Sequence, residues 1–395
     1  MDSNGKIVIE GFDWGPAVTK VIINVGSDSE KSGEPDMTLF EVTEIKMNDK
    51  KSFSDKRIVT DAYYSDDFGN RSGNKCDFIT LELKISPEEG SPMYYDFSTA
   101  FNKWFDYKLT VKTGDDTETI LNNEDFCFPE INGVDLSGKF TGSEGHTLTY
   151  ASYRPANASE ENLRPLVIWL HGMGEGGTDP LITLYGNKVV ALFGEEFQKI
   201  MDGAYVLTPQ TPTFWLQYKE EEKTSWAKNK GQDSIYLKDL KELIDKFVDE
   251  NFVDKNRIIV GGCSNGGFMT MNLILKYPDY FAAAYPICEA FYPRRLKKEI
   301  LLPLKDMSIW FVYAKNDFTV LPLKYEKPLL KRFDKIGAGN IIVSEFEDVH
   351  DTSGSFQKDG RPYQYFGHFS WIYFFNNECV ENGVSVWEWM SKQTK

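Results

Sequence analysis

The chain has 395 residues, more than the roughly 100 to 200 of one typical domain, so two folding units are expected. Its residues are 41% hydrophobic and 14% aromatic, which excludes disorder as a description of the whole. Against 60 acidic side chains stand 44 basic ones, and the resulting net charge of −16 repels phosphate backbones and anionic lipid, so neither nucleic acid nor a membrane is an expected partner.

The acidity is concentrated at the front, where residues 1–135 hold 27 acidic and 14 basic side chains. Such a balance reads as a solvated surface rather than as a site. Five scattered cysteines, Cys76, Cys127, Cys263, Cys288 and Cys379, form no C-x-x-C pair, so neither a disulfide scaffold nor a zinc site is expected and no metal is assigned. No apolar run nears the roughly 18 residues needed to span a bilayer, and Met1–Gly5 carry no signal-peptide core. The chain is expected to be soluble, in the cytoplasm or, with a leader removed, outside the cell.

In chain order, short alternating or β-branched runs come first: Lys6–Glu10, Val18–Val25, Thr38–Ile45, Phe78–Ile85 and Tyr107–Lys112. No long helical pattern interrupts them. Strands of this length and spacing predict an antiparallel sandwich of immunoglobulin-like type, although the Cys–Trp–Cys signature of true immunoglobulin domains is absent. The oxygen-rich stretch Ser65–Asn74 reads as a hairpin loop, because Arg71 and the lack of a closing Glu work against calcium. A Gly- and Ser-rich stretch from Leu136 to Gly145 marks a boundary near residue 135, giving an all-β unit over 1–135 and a second unit over 136–395.

Past this boundary apolar strands alternate with amphipathic helices, the pattern of an α/β unit with a mostly parallel, doubly wound sheet. Expected strands are His146–Tyr153, Leu166–Leu170, Ala204–Thr208, Arg257–Val260, Ala282–Ile287, Ser308–Ala314 and Ile341–Phe346. Leu166–Leu170 runs into His171-Gly172-Met173-Gly174-Glu175-Gly176-Gly177, a loop able to aim backbone N–H groups at one point. It lacks the Lys-Ser/Thr ending of a phosphate loop and an acidic ribose partner, so no nucleotide is expected. After the next strand, Thr211–Tyr218 offers an aromatic wall, with Trp215 and the nearby Trp226 as candidate substrate-pocket residues, though core packing explains such rings equally well. A helix capped by Asp233 or Ser234 sets Tyr236, Leu240, Leu243, Ile244, Phe247 and Val248 on one face.

The strongest signal follows, in Arg257–Val260 and then Gly261-Gly262-Cys263-Ser264-Asn265-Gly266-Gly267: an apolar strand, a G-x-S-x-G turn and a helix in immediate succession. Positions 262 and 266 must be small, because the sharp turn brings strand and helix together. Ser264 then stands at a helix N-terminus, where free N–H groups and the dipole favour a developing anion. An N–H near Gly172–Met173 together with that of Asn265 would hold the oxyanion of acyl transfer. Glu289, just past Ala282–Ile287, either faces the cleft or caps a loop.

Beyond the late strand Ser308–Ala314 lies Asp317, in the chain order serine, acid, histidine. Asp348 and Asp351 are less well placed. Of the four histidines, His146 and His171 precede the serine, and His171 fits better as a support of the glycine loop than as a base. His350 and His368 both follow the last strand, and both remain candidates, with His368 favoured because it opens an aromatic helix.

The stretches HGMGEGG, GGCSNGGFM, AKNDFTVLP and GHFSW resemble the prolyl-oligopeptidase-like and carboxylesterase branch of the α/β-hydrolases, over roughly residues 136–395. In that family a Gly–His pair followed by Ser-Trp carries the catalytic histidine, which raises His368 over His350. The resemblance implies a serine hydrolase with Ser264 as nucleophile, His368 as base and Asp317 orienting it, with no cofactor. One departure is the stretch from Asp348 to Tyr365, longer than the family minimum, which keeps His350 in play. The front part is similar to the amino-terminal immunoglobulin-like domain of some bacterial esterases of this branch.

The expected substrate is therefore a carboxylic ester, small or linked to polysaccharide, with acetyl or feruloyl groups on plant polysaccharide as one class. Rival readings are an oligopeptidase, disfavoured because no propeller-length repeat precedes the catalytic part, and a non-enzymatic carbohydrate-binding protein with a vestigial hydrolase. The front unit holds no triad and is expected to be structural, or to join copies into a homo-oligomer.

Overall fold

The computed structural model describes residues 4–26, 34–72 and 76–395. They form two compact units: one runs to Asp96 and resumes over Asn102–Asn132, and the other comprises Phe97–Phe101 with Gly133–Lys395.

The front unit contains two sheets. One has the order Phe126–Cys127, Gly5–Phe12, Gly15–Asn24, Phe78–Leu83, Val59–Ser65, and the other Glu118–Asn122, Asp106–Lys112, Glu41–Met47, Ser52–Arg57. Neighbours pair antiparallel except Phe126–Cys127, which runs parallel to Gly5–Phe12. The period of two sorts side chains between faces: Tyr107, Leu109 and Val111 are fully buried along one strand, as are Ile7 and Ile9 along another. Inside this unit Glu44 is also buried. It accepts from Arg57 at 3.0 Å and from the Tyr107 hydroxyl at 2.7 Å, and pairs with Lys46 at 2.8 Å. In the loop after Ser65, Asp66 accepts the N–H groups of Phe68 and Asn70 at 2.9 Å, so side-chain capping closes the turn. Gly73 and Asn74 of that stretch lie outside the described residues, and among the described residues no group of three metal-ligating side chains occurs.

The second unit is built on one eight-stranded sheet. In chain order its strands are β1 Val134–Thr141, β2 Thr147–Tyr153, β3 Arg164–Leu170, β4 Tyr205–Gln210, β5 Val253–Cys263, β6 Ala283–Ile287, β7 Ser308–Ala314 and β8 Ile341–Phe346. The spatial order is β1-β2-β4-β3-β5-β6-β7-β8, with β2 antiparallel to both of its neighbours, β1 and β4, and all other neighbours parallel. Central strands are covered on both faces, so β3 is buried at all seven positions and β5 from Ile258 onward. Three helices matter for the site: α1 Leu237–Glu250, α2 Asn265–Lys276 and α3 Glu326–Ile336. On α1, Leu240, Leu243, Ile244, Phe247 and Val248 are buried as one stripe, whereas α2 is buried from Asn265 to Ile274.

Two expectations are corrected here. The Gly- and Ser-rich stretch Leu136–Gly145, taken to mark the boundary and assigned no strand, carries most of β1, and its Gly138 is needed because a Cβ there would stand 2.4 Å from the Tyr150 ring on β2. Helix α1 begins at Leu237 rather than near Asp233, since Ser234 spends its hydroxyl on the Tyr236 N–H and closes a preceding turn instead. Among the described residues no helix is long and apolar enough to cross a membrane.

Candidate active site

Strand β5 delivers Ser264 to the head of α2 in a backbone conformation of φ 56°, ψ −111°, a region that L residues rarely occupy. The turn around it is fixed from both sides. Ser264 donates its N–H to the Ile287 carbonyl at 2.8 Å, and its own carbonyl accepts from Phe268 at 2.9 Å and Ala290 at 3.2 Å. Glycine is required at two flanking positions, because a Cβ on Gly262 or Gly266 would lie 2.1 or 1.9 Å from the Leu170 carbonyl oxygen. The end of β3 and the start of α2 thus approach as closely as backbones can.

Asp317 lies three residues past β7 and is buried. One carboxylate oxygen accepts the N–H groups of Thr319 and Val320 at 2.7 and 3.0 Å, and the other meets His368 Nδ1 at 2.7 Å. Because a carboxylate only accepts, His368 carries its proton on Nδ1 and leaves Nε2 with a free lone pair. The long stretch after β8 is a hairpin excursion, Gln357–Lys358 against Arg361–Pro362, closed by Tyr365 N–H donating to the Val349 carbonyl at 2.9 Å. It returns the chain to the sheet before His368. Gly367 packs against Asn316 with no room for a Cβ, which seats the histidine loop on the acid loop. The structure therefore brings Asp317 together with His368. His350 instead meets Asp348 at 2.7 Å with 39% of its side chain exposed, and Asp351 caps the N–H groups of Gly354 and Phe356.

The two earlier histidines have other duties. His146 sits between Asp239 at 2.6 Å and Glu220 at 2.7 Å, tying the β1–β2 turn to α1. His171 is fully buried, donates from Nδ1 to the Gly172 carbonyl at 2.6 Å and accepts the Thr211 N–H on Nε2 at 3.2 Å. Burial lowers its pKa to about 4, so it stays neutral and braces the glycine loop. Gly172 turns its N–H toward the Cys263 thiol, whose pKa is driven up first by burial and then by the Glu175 carboxylate. That thiol is inert. Of the two loop positions proposed from sequence, Gly172 is thus the one whose N–H is turned to sulfur.

Comparisons with known proteins agree with this architecture. The family described as the esterase Ig-like N-terminal domain matches residues 4–122, and the prolyl oligopeptidase family matches residues 220–300. The chain is a serine hydrolase of the α/β-hydrolase fold. No curated protein sequence matches it. A solved thermostable esterase is similar over 100% of both chains, at 24% identity and a TM-score of 0.76. The acylaminoacyl peptidase of Pyrococcus horikoshii aligns over 72% of this chain and 50% of its own at 14% identity and a TM-score of 0.43. The acetyl xylan esterase from Paenibacillus sp. R4 aligns over 53% and 76%, at 14% identity and a TM-score of 0.38.

The pocket candidates of this hydrolase sort by burial. Trp215 is fully buried, with its ring 5.1 Å from that of His171 and 6.0 Å from that of Tyr236, so it supports the loop from beneath. Glu289 is likewise fully buried and presents no wall to solvent. Trp226 is partly exposed and packs on Phe214 at 5.3 Å. Phe214 in turn meets Phe101 at 5.0 Å, and a Cβ on Gly176 would stand 2.6 Å from the Phe101 ring. Phe101 was invisible to sequence reasoning, since it lies 75 positions before Gly176 and belongs to no motif. Asn265 pins this wall to α2 by accepting the Leu216 N–H at 2.9 Å.

Proposed function

We propose that this enzyme cleaves carboxylic esters through an acyl-enzyme on Ser264. His368 Nε2 takes the serine proton as Oγ bonds to the ester carbon, Asp317 holds the imidazole in that tautomer, and the N–H groups of Met173 and Asn265 receive the oxyanion. The ester C–O bond then breaks as His368 returns its proton to the leaving alkoxide. Water attacks next, passes a proton through His368 and releases the carboxylic acid with Ser264 restored. No step calls on a cofactor.

Two observations carry this reading: the 2.7 Å Asp317–His368 bond, and a serine held at positive φ on the head of a buried helix. The esterase-type front domain supports esters as substrates, and acetyl or feruloyl esters of plant polysaccharide are the first natural candidates to try. The match to the prolyl oligopeptidase family favours a second reading, cleavage of short peptides. A p-nitrophenyl acyl series run beside peptide anilides separates them. Higher kcat/KM on the esters supports the proposal, and a preference for the anilides replaces it with the second reading.

A further inference from the structure

Two buried carboxyl groups near the acid loop take no part in these steps. Glu289, two residues past β6, has no solvent exposure; one oxygen accepts the Phe291 N–H at 2.5 Å and Oε1 has no hydrogen-bond partner. Glu326, the first residue of α3, is 1% exposed; no cation or side-chain donor meets either of its oxygens, and the donor that reaches its carboxyl is its own backbone N–H. The segments that carry them meet, with the rings of Tyr292 and Tyr325 packed edge to face at 5.7 Å. Each segment also touches the proposed machinery. Glu289 backs onto Gly267, where an added Cβ would lie 2.8 Å from the Glu289 Cα, and the next residue, Ala290, donates to the Ser264 carbonyl at 3.2 Å. Glu326 feels the charge of Asp317.

A carboxylate removed from water without a cation or donors costs several kcal/mol, and two that interact closely do not both ionise. The titratable groups that interact with the pair are Asp317, Cys288, Tyr313 and Tyr325, none of them a cation. Burial, and next the charge of Glu326, pushes Glu289 well above the ordinary carboxylate range. Burial raises Glu326 in the same direction, with Asp317 adding to it.

We infer that Glu289 and Glu326 share at least one proton at neutral pH and act as a positioning pair, bridging the Ser264 turn to the Asp317 loop while leaving Asp317 the carboxylate that answers His368. The inference rests on the roles proposed above for Ser264, His368 and Asp317. A protonated pair can spend its proton on a carboxyl–carboxyl hydrogen bond. Full ionisation would instead place repelling charge between the turn and the acid loop.

The test uses the full chain, with Glu289→Gln, Glu326→Gln, the double variant and Glu326→Ala. Infrared spectra at neutral pH should show the C=O stretch of a protonated carboxylic acid in the wild type, weakened in each glutamine variant and lost in the double. On a p-nitrophenyl ester, Glu326→Ala should lower kcat by about tenfold or more with KM little changed, and Glu326→Gln should restore most of it. The pH dependence of stability has a definite sign. An unfolded glutamate ionises near pH 4 to 5 while the folded pair keeps its proton, so wild-type stability falls as pH rises above that range. The double glutamine variant lacks this loss, and its thermal midpoint should gain on the wild type between about pH 5 and about pH 8. A wild type without the protonated band, a band untouched by the substitutions, a midpoint difference moving the other way, or equal kcat in Glu326→Ala and Glu326→Gln would overturn the pair. Fluorophosphonate labelling of Ser264 in every variant reports the nucleophile separately, so a failure of the pair is distinguishable from a failure of the proposed mechanism.

Discussion

In the front unit the buried carboxylate Glu44 is matched by Arg57, Lys46 and the Tyr107 hydroxyl, whereas in the hydrolase unit Glu289 and Glu326 are buried with backbone N–H groups as donors and no cation. Burial alone would raise Glu44, but Arg57 and Lys46 outweigh it and hold its pKa below the ordinary range. Arg57 also donates to the carbonyls of Val18 and Lys84, at 3.1 and 2.8 Å, so this network joins four strands and the end of a fifth. One unit pairs its buried carboxylate with cations, and the other buries two carboxyl groups without one. Local rules are broken most where chemistry is done.

That contrast predicts that substitutions in the hydrolase unit cost turnover and those in the front unit cost stability. The largest effect should come from Ser264→Ala, with kcat down on the order of 10⁴-fold or more in a chain whose thermal midpoint is unchanged or higher. Next, His368→Ala should lose about 10³-fold in kcat while His350→Ala stays within about tenfold, and steady-state kinetics showing the reverse ranking would reassign the base.

For the front unit, Glu44→Ala should destabilise by about 3 to 5 kcal/mol, because it leaves Arg57 buried and unpaired, with little change in the reactivity of Ser264. Denaturant unfolding followed alongside ester turnover checks this. A depressed folded pKa means that the Glu44 contribution is present above the unfolded carboxylate range and lost as pH falls through the folded value. The gap in thermal midpoint between wild type and Glu44→Gln should therefore shrink from about pH 7 to about pH 3, opposite in direction to the Glu289–Glu326 pair. The smallest effect is expected from Phe101→Ala, a rise in KM of roughly tenfold on bulky acyl or aryl esters with kcat nearly kept. Equal effects on small and bulky esters would remove Phe101 from the pocket wall.

How much of this was legible in the sequence depends on the range of the interaction. The serine turn could be read because strand, glycines and helix are contiguous from Arg257 to Asn265, and the close approach to Leu170 explains why both glycines are there. Asp317 could be read from the end of an apolar strand. The choice between His350 and His368 could not be made from local sequence alone, because the hairpin that separates them is resolved only by pairing Val349 with Tyr365. β1 was hidden by its composition: Gly138 and Ser137 look like a domain boundary until Tyr150 is seen to fill the space beside the glycine. Glu289 was noticed by position but its burial was not, and Glu326 and Phe101 carried no signal, since their neighbours are distant in sequence and belong to no motif.

The most direct measurement is the site and stoichiometry of a fluorophosphonate adduct, read by intact mass and peptide mapping on the full chain. One adduct per chain, mapped to Ser264, blocking ester hydrolysis in proportion and absent from Ser264→Ala, is the predicted result. An adduct on another residue, or undiminished labelling of Ser264→Ala, would contradict the mechanism.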